Sequence, residues 1–158
     1  MNAVNVLKAF YVVQLILFSS AVLAEPEENE NAYEANKVGG FIGFTGAGRR
    51  ENGLTLALTY EHRFTKSFGL GAEAERVLGD LDFWLVTVPF SYRFGEWKIF
   101  AGPGLEKLDD GDTEGLLRIG GEYGIELSER WEMSPTIALD FVDGDQEVIV
   151  GVLFGYGF

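Results

Sequence analysis

The acidic and basic residues of this chain recur at two-residue spacings, as in Glu61 and Arg63, Glu73 and Glu75, and the run from Arg118 through Glu122 to Glu126. A spacing of two places side chains on one face of a β-strand. The same face takes Arg93, Lys98, Glu106, Glu132, Asp140 and Glu147. Ionised groups gathered on an enclosed face must pair with one another. The chemistry they point to is therefore mutual neutralisation: an interior polar network of Glu61, Arg63, Glu73, Glu75, Arg93, Lys98, Arg118 and Glu122. Glu61, Glu73, Glu75 and Glu122 are expected to surround Arg93 and Arg118. Acids outnumber bases on this face, so some carboxylates must sit at wet ends, take up protons or hold a cation.

Other reactive types give weaker patterns. His62 is the only histidine, and its own run holds no serine. Ser91 and Ser134 fall on the opposite face, whereas a nucleophile needs a base within hydrogen-bond reach. No catalytic residue is assigned, and the chain is not expected to be an enzyme. The segment 108–115 is acidic and glycine-bearing, and Asp109, Asp110, Asp112 and Glu114 are oxygen donors suited to calcium. It lacks the twelve-residue calcium-loop pattern, and acidic residues serve exposed turns for backbone reasons. It is read first as a solvated loop, with no metal site and no cofactor. There is no cysteine, so disulfides and thiolate metal sites are excluded.

The elements that must position these residues are strands. Eight alternating runs cover 37–46, 53–64, 68–77, 82–94, 97–107, 116–127, 131–142 and 146–158. Their length matches the roughly 9–11 residues with which a tilted strand crosses a bilayer. In the second run Leu54, Leu56, Leu58, Tyr60, His62 and Phe64 oppose Thr55, Ala57, Thr59, Glu61 and Arg63. In the last, Val148, Val150, Val152, Phe154, Tyr156 and Phe158 oppose Glu147, Ile149, Gly151, Leu153, Gly155 and Gly157. Tight turns at Thr65-Lys66-Ser67, Gly95-Glu96 and Ser128-Glu129-Arg130 test this division, because a short turn fixes which residues face each other. Their flanking pairs, Phe64 with Phe68, Phe94 with Trp97 and Leu127 with Trp131, all fall on the apolar face. A slip of one residue would destroy that agreement.

The apolar face ends in rings beside these turns: Phe64, Phe68, Tyr92, Phe94, Trp97, Tyr123, Trp131, Tyr156 and Phe158. Amphipathic rings favour a bilayer interface, so they are expected to form an interfacial girdle. A soluble barrel would turn its apolar face inward. The glycines at 69, 71, 102, 104, 120, 124, 151 and 155 argue for the reverse, since they crowd the polar face.

Residues 1–24 have the order of a secretory signal: Lys8, the apolar run Ala9–Phe18, and small residues through Ala24. Residues 25–36 are polar and acidic and are expected to form a flexible N-terminal arm. The formal charge of the whole chain is −13, which argues against nucleic acid as a partner.

The leader, the eight amphipathic runs, the aromatic-flanked turns and the ending Phe154-Gly155-Tyr156-Gly157-Phe158 resemble the small outer-membrane β-barrel superfamily, the type of the OmpA transmembrane domain, OmpX and OmpW. The likeness spans 37–158. It implies an all-β, eight-stranded antiparallel up-and-down transmembrane barrel in the bacterial outer membrane, with both termini periplasmic. It also implies outer-membrane lipids as surroundings and the barrel-assembly machinery as a partner, engaged through the aromatic C-terminal strand. The chain departs from OmpA in ending at the barrel, without a peptidoglycan-binding domain. It departs from adhesin-like members in its short outer loops. The expected function is that of a monomeric structural or envelope-maintenance protein. The alternatives are an outer-leaflet lipid-modifying enzyme and a narrow channel or carrier for small or apolar solutes.

Overall fold

A computed structural model describes residues 34–47, 51–108 and 112–158. The expected signal peptide, most of the expected arm, and Asp109 and Asp110 of the acidic loop lie outside the described residues. The elements are β1 (Asn36–Ala47), β2 (Glu51–Arg63), β3 (Phe68–Gly79), β4 (Phe83–Thr87), β5 (Phe90–Phe94), β6 (Trp97–Leu108), β7 (Thr113–Tyr123), β8 (Ile125–Glu126), β9 (Trp131–Val142) and β10 (Asp145–Gly157). Counting β4 with β5 and β7 with β8 as one strand each, every strand pairs antiparallel with its neighbours in sequence, and β10 pairs with both β9 and β1, which closes the sheet into a barrel.

The ten segments are eight barrel strands, because β4 with β5 and β7 with β8 are each one strand interrupted. The break between β4 and β5 falls at Val88-Pro89, where proline has no N–H to give to the ladder. Pro89 still accepts a hydrogen bond from Gly71 N at 2.8 Å, and Val88 N donates to Pro103 O at 3.0 Å. Inside–outside alternation therefore survives the break, with Thr87 and Ser91 buried and Val86 and Phe90 exposed. The second break falls at Gly124, whose N–H continues the ladder toward β6 by donating to Glu96 O at 2.7 Å, while the facing stretch of β9 holds Pro135, which has no N–H to give. The strand holding Arg118 also starts at Thr113, three residues earlier than the alternation predicts, which shortens the loop after β6.

The three tight turns close as expected. Phe64 N donates to Phe68 O at 3.1 Å, Leu127 N to Trp131 O at 2.8 Å, and Phe94 stands opposite Trp97. Thr65 Oγ1 accepts from Phe68 N at 2.9 Å and stiffens the first turn. At the other end of the barrel, Asp143 and Gly144 have φ of 42° and 99°, the left-handed pair that a two-residue hairpin needs. These two ends are called here the turn end and the loop end. Both Asn36 and Phe158 lie at the turn end, where Asn36 N donates to Phe158 O at 3.0 Å.

Burial divides the molecule by strand parity. The exposed side includes Ile42, Leu58, Val86, Ile99, Ile119, Ile137 and Val150, while Glu61, Glu75, Lys98, Glu106, Arg118, Glu122, Asp140 and Glu147 are buried. A globular domain in water would be the other way round.

Candidate functional site

The interior is layered along the barrel axis. Nearest the turn end is an open vestibule of about 510 Å³, lined by Lys37, Arg63, Lys66, Arg93, Arg130 and Glu132 among others. Its floor is part of a first ionic group. Glu61 accepts a hydrogen bond from Ser91 Oγ at 2.5 Å and faces Arg93 Nη2 at 3.3 Å and Lys98 Nζ at 3.4 Å. Lys98 Nζ also stands 2.9 Å from Glu122. Lys37 Nζ donates to Glu132 at 2.5 Å, and Arg93 Nη1 lies 3.6 Å from the same carboxylate. Each acid thus faces at least one cation, and Glu61 and Glu132 face two.

An apolar waist follows, made by Phe41, Phe100, Leu153, Ala57, Ala138 and Ile149. It exists because glycine leaves room for two rings. A Cβ on Gly120 would overlap the Phe100 ring, and one on Gly43 or Gly151 would overlap Phe41. Phe100 and Leu153 line two cavities of about 20 Å³ each, one shared with Lys37, Glu61 and Lys98, the other with Glu75 and Arg118. A gap of that size holds about one water.

Beyond the waist is the second ionic group, built on one guanidinium. Arg118 donates to Asp140 through Nε and Nη2, both at 2.7 Å, a bidentate pairing between opposed residues of β7 and β9. From across the barrel Glu73 accepts from Arg118 Nη1 at 2.9 Å, and Glu75 is hydrogen-bonded to both terminal nitrogens. Thr87 Oγ1 donates to Glu73 at 3.0 Å. Glu106 and Glu147 face the same space, and each has a buried carboxylate oxygen without a hydrogen-bond partner among the described residues. A second apolar layer of Val77, Phe83, Leu85, Leu116 and Val142 caps the loop end.

The expected network is therefore two networks. Glu73 and Glu75 are bound to Arg118, whereas Glu61 is bound to Arg93 and Lys98 and Glu122 to Lys98, and Glu73 and Glu122 line both of the small waist cavities. Arg63 stands at the edge of the first group, within electrostatic reach of Glu61 and Glu132. It sits at the vestibule and donates through Nε to Glu34 O at 2.9 Å. Lys37, Ser91, Glu132 and Asp140 complete the groups without having been assigned to the network. The Arg118–Asp140 pair was already implicit in the chain: the turn that closes Leu127 onto Trp131 opposes those two residues when counted inward. Lys37 is found by extending the parity of β1 by one step.

His62 is exposed on the outer face, with Nδ1 3.0 Å from Asn36 Oδ1, while Ser91 and Ser134 are buried inside. Both hydroxyls donate to carboxylates, Ser134 to Glu132 at 2.6 Å. Asp112 and Glu114 flank the loop after β6, and no group of three or more possible metal ligands forms among the described residues. The expected girdle residues lie on the outer face at the turn end, all exposed but the half-buried Tyr156, and several of their rings meet in pairs. Phe68 meets Tyr92 at 5.0 Å between ring centres, Tyr92 meets Phe94 at 6.0 Å, Trp97 meets Tyr123 at 5.0 Å, and Trp131 meets Tyr156 at 5.2 Å. Phe64 lies 6.2 Å from Phe90, and Phe158 6.5 Å from Tyr156.

Among solved structures the chain is similar to the N-terminal β-barrel domain of Pseudomonas aeruginosa OprF, at 12% identity and a TM-score of 0.67, covering 79% of this chain and 98% of that one. The fold is that of the small eight-stranded outer-membrane barrels. Neisserial surface protein A shares it at 10% identity and a TM-score of 0.57, over 78% of this chain and 97% of that one. So does Ail, the attachment invasion locus protein of Yersinia pestis, at 12% identity and a TM-score of 0.53, over 80% of this chain and 100% of that one. No protein-family model matches the sequence. No curated protein matches it either.

Proposed function

We propose that the chain is an integral outer-membrane protein of structural or envelope-maintenance type, neither a channel nor an enzyme. The observation that carries this reading is the inverted burial of a closed barrel: an apolar exterior around an interior filled by ion pairs and two apolar layers. An exterior of Ile42, Leu58, Trp84, Ile99 and Ile137 suits lipid rather than water. Two apolar layers cross the lumen and the cavities at the waist are near 20 Å³ each among the described residues, which speaks against conduction. His62 lies outside and the buried serines lie inside on cation-paired acids, which speaks against a serine–histidine hydrolase. The turn end, where Asn36 and Phe158 meet, is assigned to the periplasm, in keeping with short turns on that side. The chain is taken to be monomeric and delivered by the barrel-assembly machinery through β10.

Heat-modifiable migration in gels of the outer-membrane fraction tests the first part. A folded barrel resists SDS until boiled, and no such species in that fraction would sink the reading. Conductance across a planar bilayer would turn the assignment toward a channel, and a mass shift in lipid A on expression would turn it toward an enzyme. The absence of cysteine makes topology direct to read. In intact cells an impermeant maleimide should label Asp112→Cys and spare Glu129→Cys, and the opposite pattern would invert the barrel.

A further inference from the structure

The outward face carries almost no charge, and the exceptions stand together. At outward positions of the described strands the only Lys, Arg, Asp or Glu side chains are Arg76 on β3 and Lys107 on β6. Both lie at the loop end, and both are in register with the same residue of the strand between them: Arg76 opposes Trp84, and Trp84 opposes Lys107. Neighbouring strands are about 4.8 Å apart, so the two bases straddle Trp84 with their backbones roughly 10 Å apart. The Arg76 guanidinium carbon sits 5.3 Å from the Trp84 ring centre, and the ring is 57% exposed. Arg76 also pairs with Asp82 in the connection between β3 and β4.

A cation on the lipid face is unfavourable by about 2–4 kcal/mol at the bilayer midplane and by about 0–1 kcal/mol near its edge. Two such residues flanking an amphipathic ring therefore mark headgroup depth, where tryptophan also prefers to lie. Two long basic side chains over one ring can converge on a compact anion, and phosphate accepts hydrogen bonds from both kinds of base. At the turn-end rim the outward strand positions hold Phe68, Phe94, Trp97, Trp131 and Tyr156, and the base there, Arg130, sits in a turn and donates to Tyr156 Oη at 3.1 Å.

We propose that Arg76, Trp84 and Lys107 form a docking site for the phosphorylated headgroup of an outer-leaflet glycolipid, with Trp84 packed against the lipid's sugar or upper acyl region. The proposal rests on the assignment of the loop end to the outer leaflet. Asp82 competes with the phosphate for Arg76 and sets the strength of the site.

The test is native mass spectrometry of the full-length protein isolated from membranes, offered bis-phosphorylated lipid A or its phosphate-free counterpart. Charges at a membrane surface are worth about 1 kcal/mol each. The Arg76→Gln/Lys107→Gln double variant should thus retain phosphorylated lipid A roughly tenfold to thirtyfold less well than the unmodified protein. Lys107→Gln alone should show a smaller loss and guards against misfolding of the double variant. Asp82→Asn should bind more tightly, and Arg130→Gln at the opposite rim should match the unmodified protein. Equal retention by Lys107→Gln and the unmodified protein would overturn the site, as would equal retention of the phosphate-free lipid. Neither result would touch heat-modifiable migration or conductance, so failure here is distinguishable from failure of the barrel assignment.

Discussion

The two ionic groups inside the barrel obey one alternation rule and differ in how their charges are supported. In the turn-end group Lys37, Arg93 and Lys98 meet Glu61, Glu122 and Glu132, three bases against three acids, with several pairs sharing a partner. In the loop-end group Arg118 meets Glu73, Glu75 and Asp140, while Glu106 and Glu147 lie near it with no ion pair shown among the described residues. The first group is redundant and the second is centred. A centred network depends on one side chain, because its removal leaves several carboxylates together away from water.

Arg118→Met breaks the comparison most directly. Removing one partner of a buried ionic group costs about 3–5 kcal/mol, so the urea unfolding midpoint of the refolded barrel should fall sharply. An unchanged midpoint would show that the loop-end carboxylates do not need the guanidinium. The waist is the next most sensitive place. Gly120→Val drives a side chain into the Phe100 ring, and overpacking of this kind costs about 1–3 kcal/mol. The same titration measures it, and a neutral result would mean the ring has somewhere else to go.

Lys98→Met should lower stability by a smaller amount, about 1–2 kcal/mol, since Arg93 remains on Glu61 and only Glu122 loses its cation. A loss as large as that of Arg118→Met would end the claim of redundancy. The smallest effect has the opposite sign. Glu147→Gln removes an uncompensated charge from the centred group and should raise the midpoint by up to about 1 kcal/mol, whereas Glu61→Gln should lower it. A decrease for both variants would mean that Glu147 has a stabilising partner of its own.

Much of this architecture was legible along the chain because a strand has a period of two and a tight turn fixes the phase of its two neighbours. Phe64 with Phe68, Phe94 with Trp97 and Leu127 with Trp131 are enough to put the inward acids and the outward rings on their faces from the chain alone. The breaks were less legible. Pro89 signals a missing donor, but nothing local says that β5 resumes the same alternation. That depends on Gly71 and Pro103 supplying the ladder from the flanking strands.

What the sequence determined by itself was the face of each side chain, and hence the identity of inside and outside. Depth and partnership were decided by the closed barrel. Parity puts Glu61 and Glu75 on one face, but only the stagger of strands around the barrel sends one to Lys98 and the other to Arg118. Only closure brings Glu75 across to Arg118, and only the room left by Gly43, Gly120 and Gly151 lets the Phe41 and Phe100 rings fill the waist. Pairing within a hairpin is a local count along the chain. Pairing across a lumen is set by the shear of the whole sheet, to which every strand contributes.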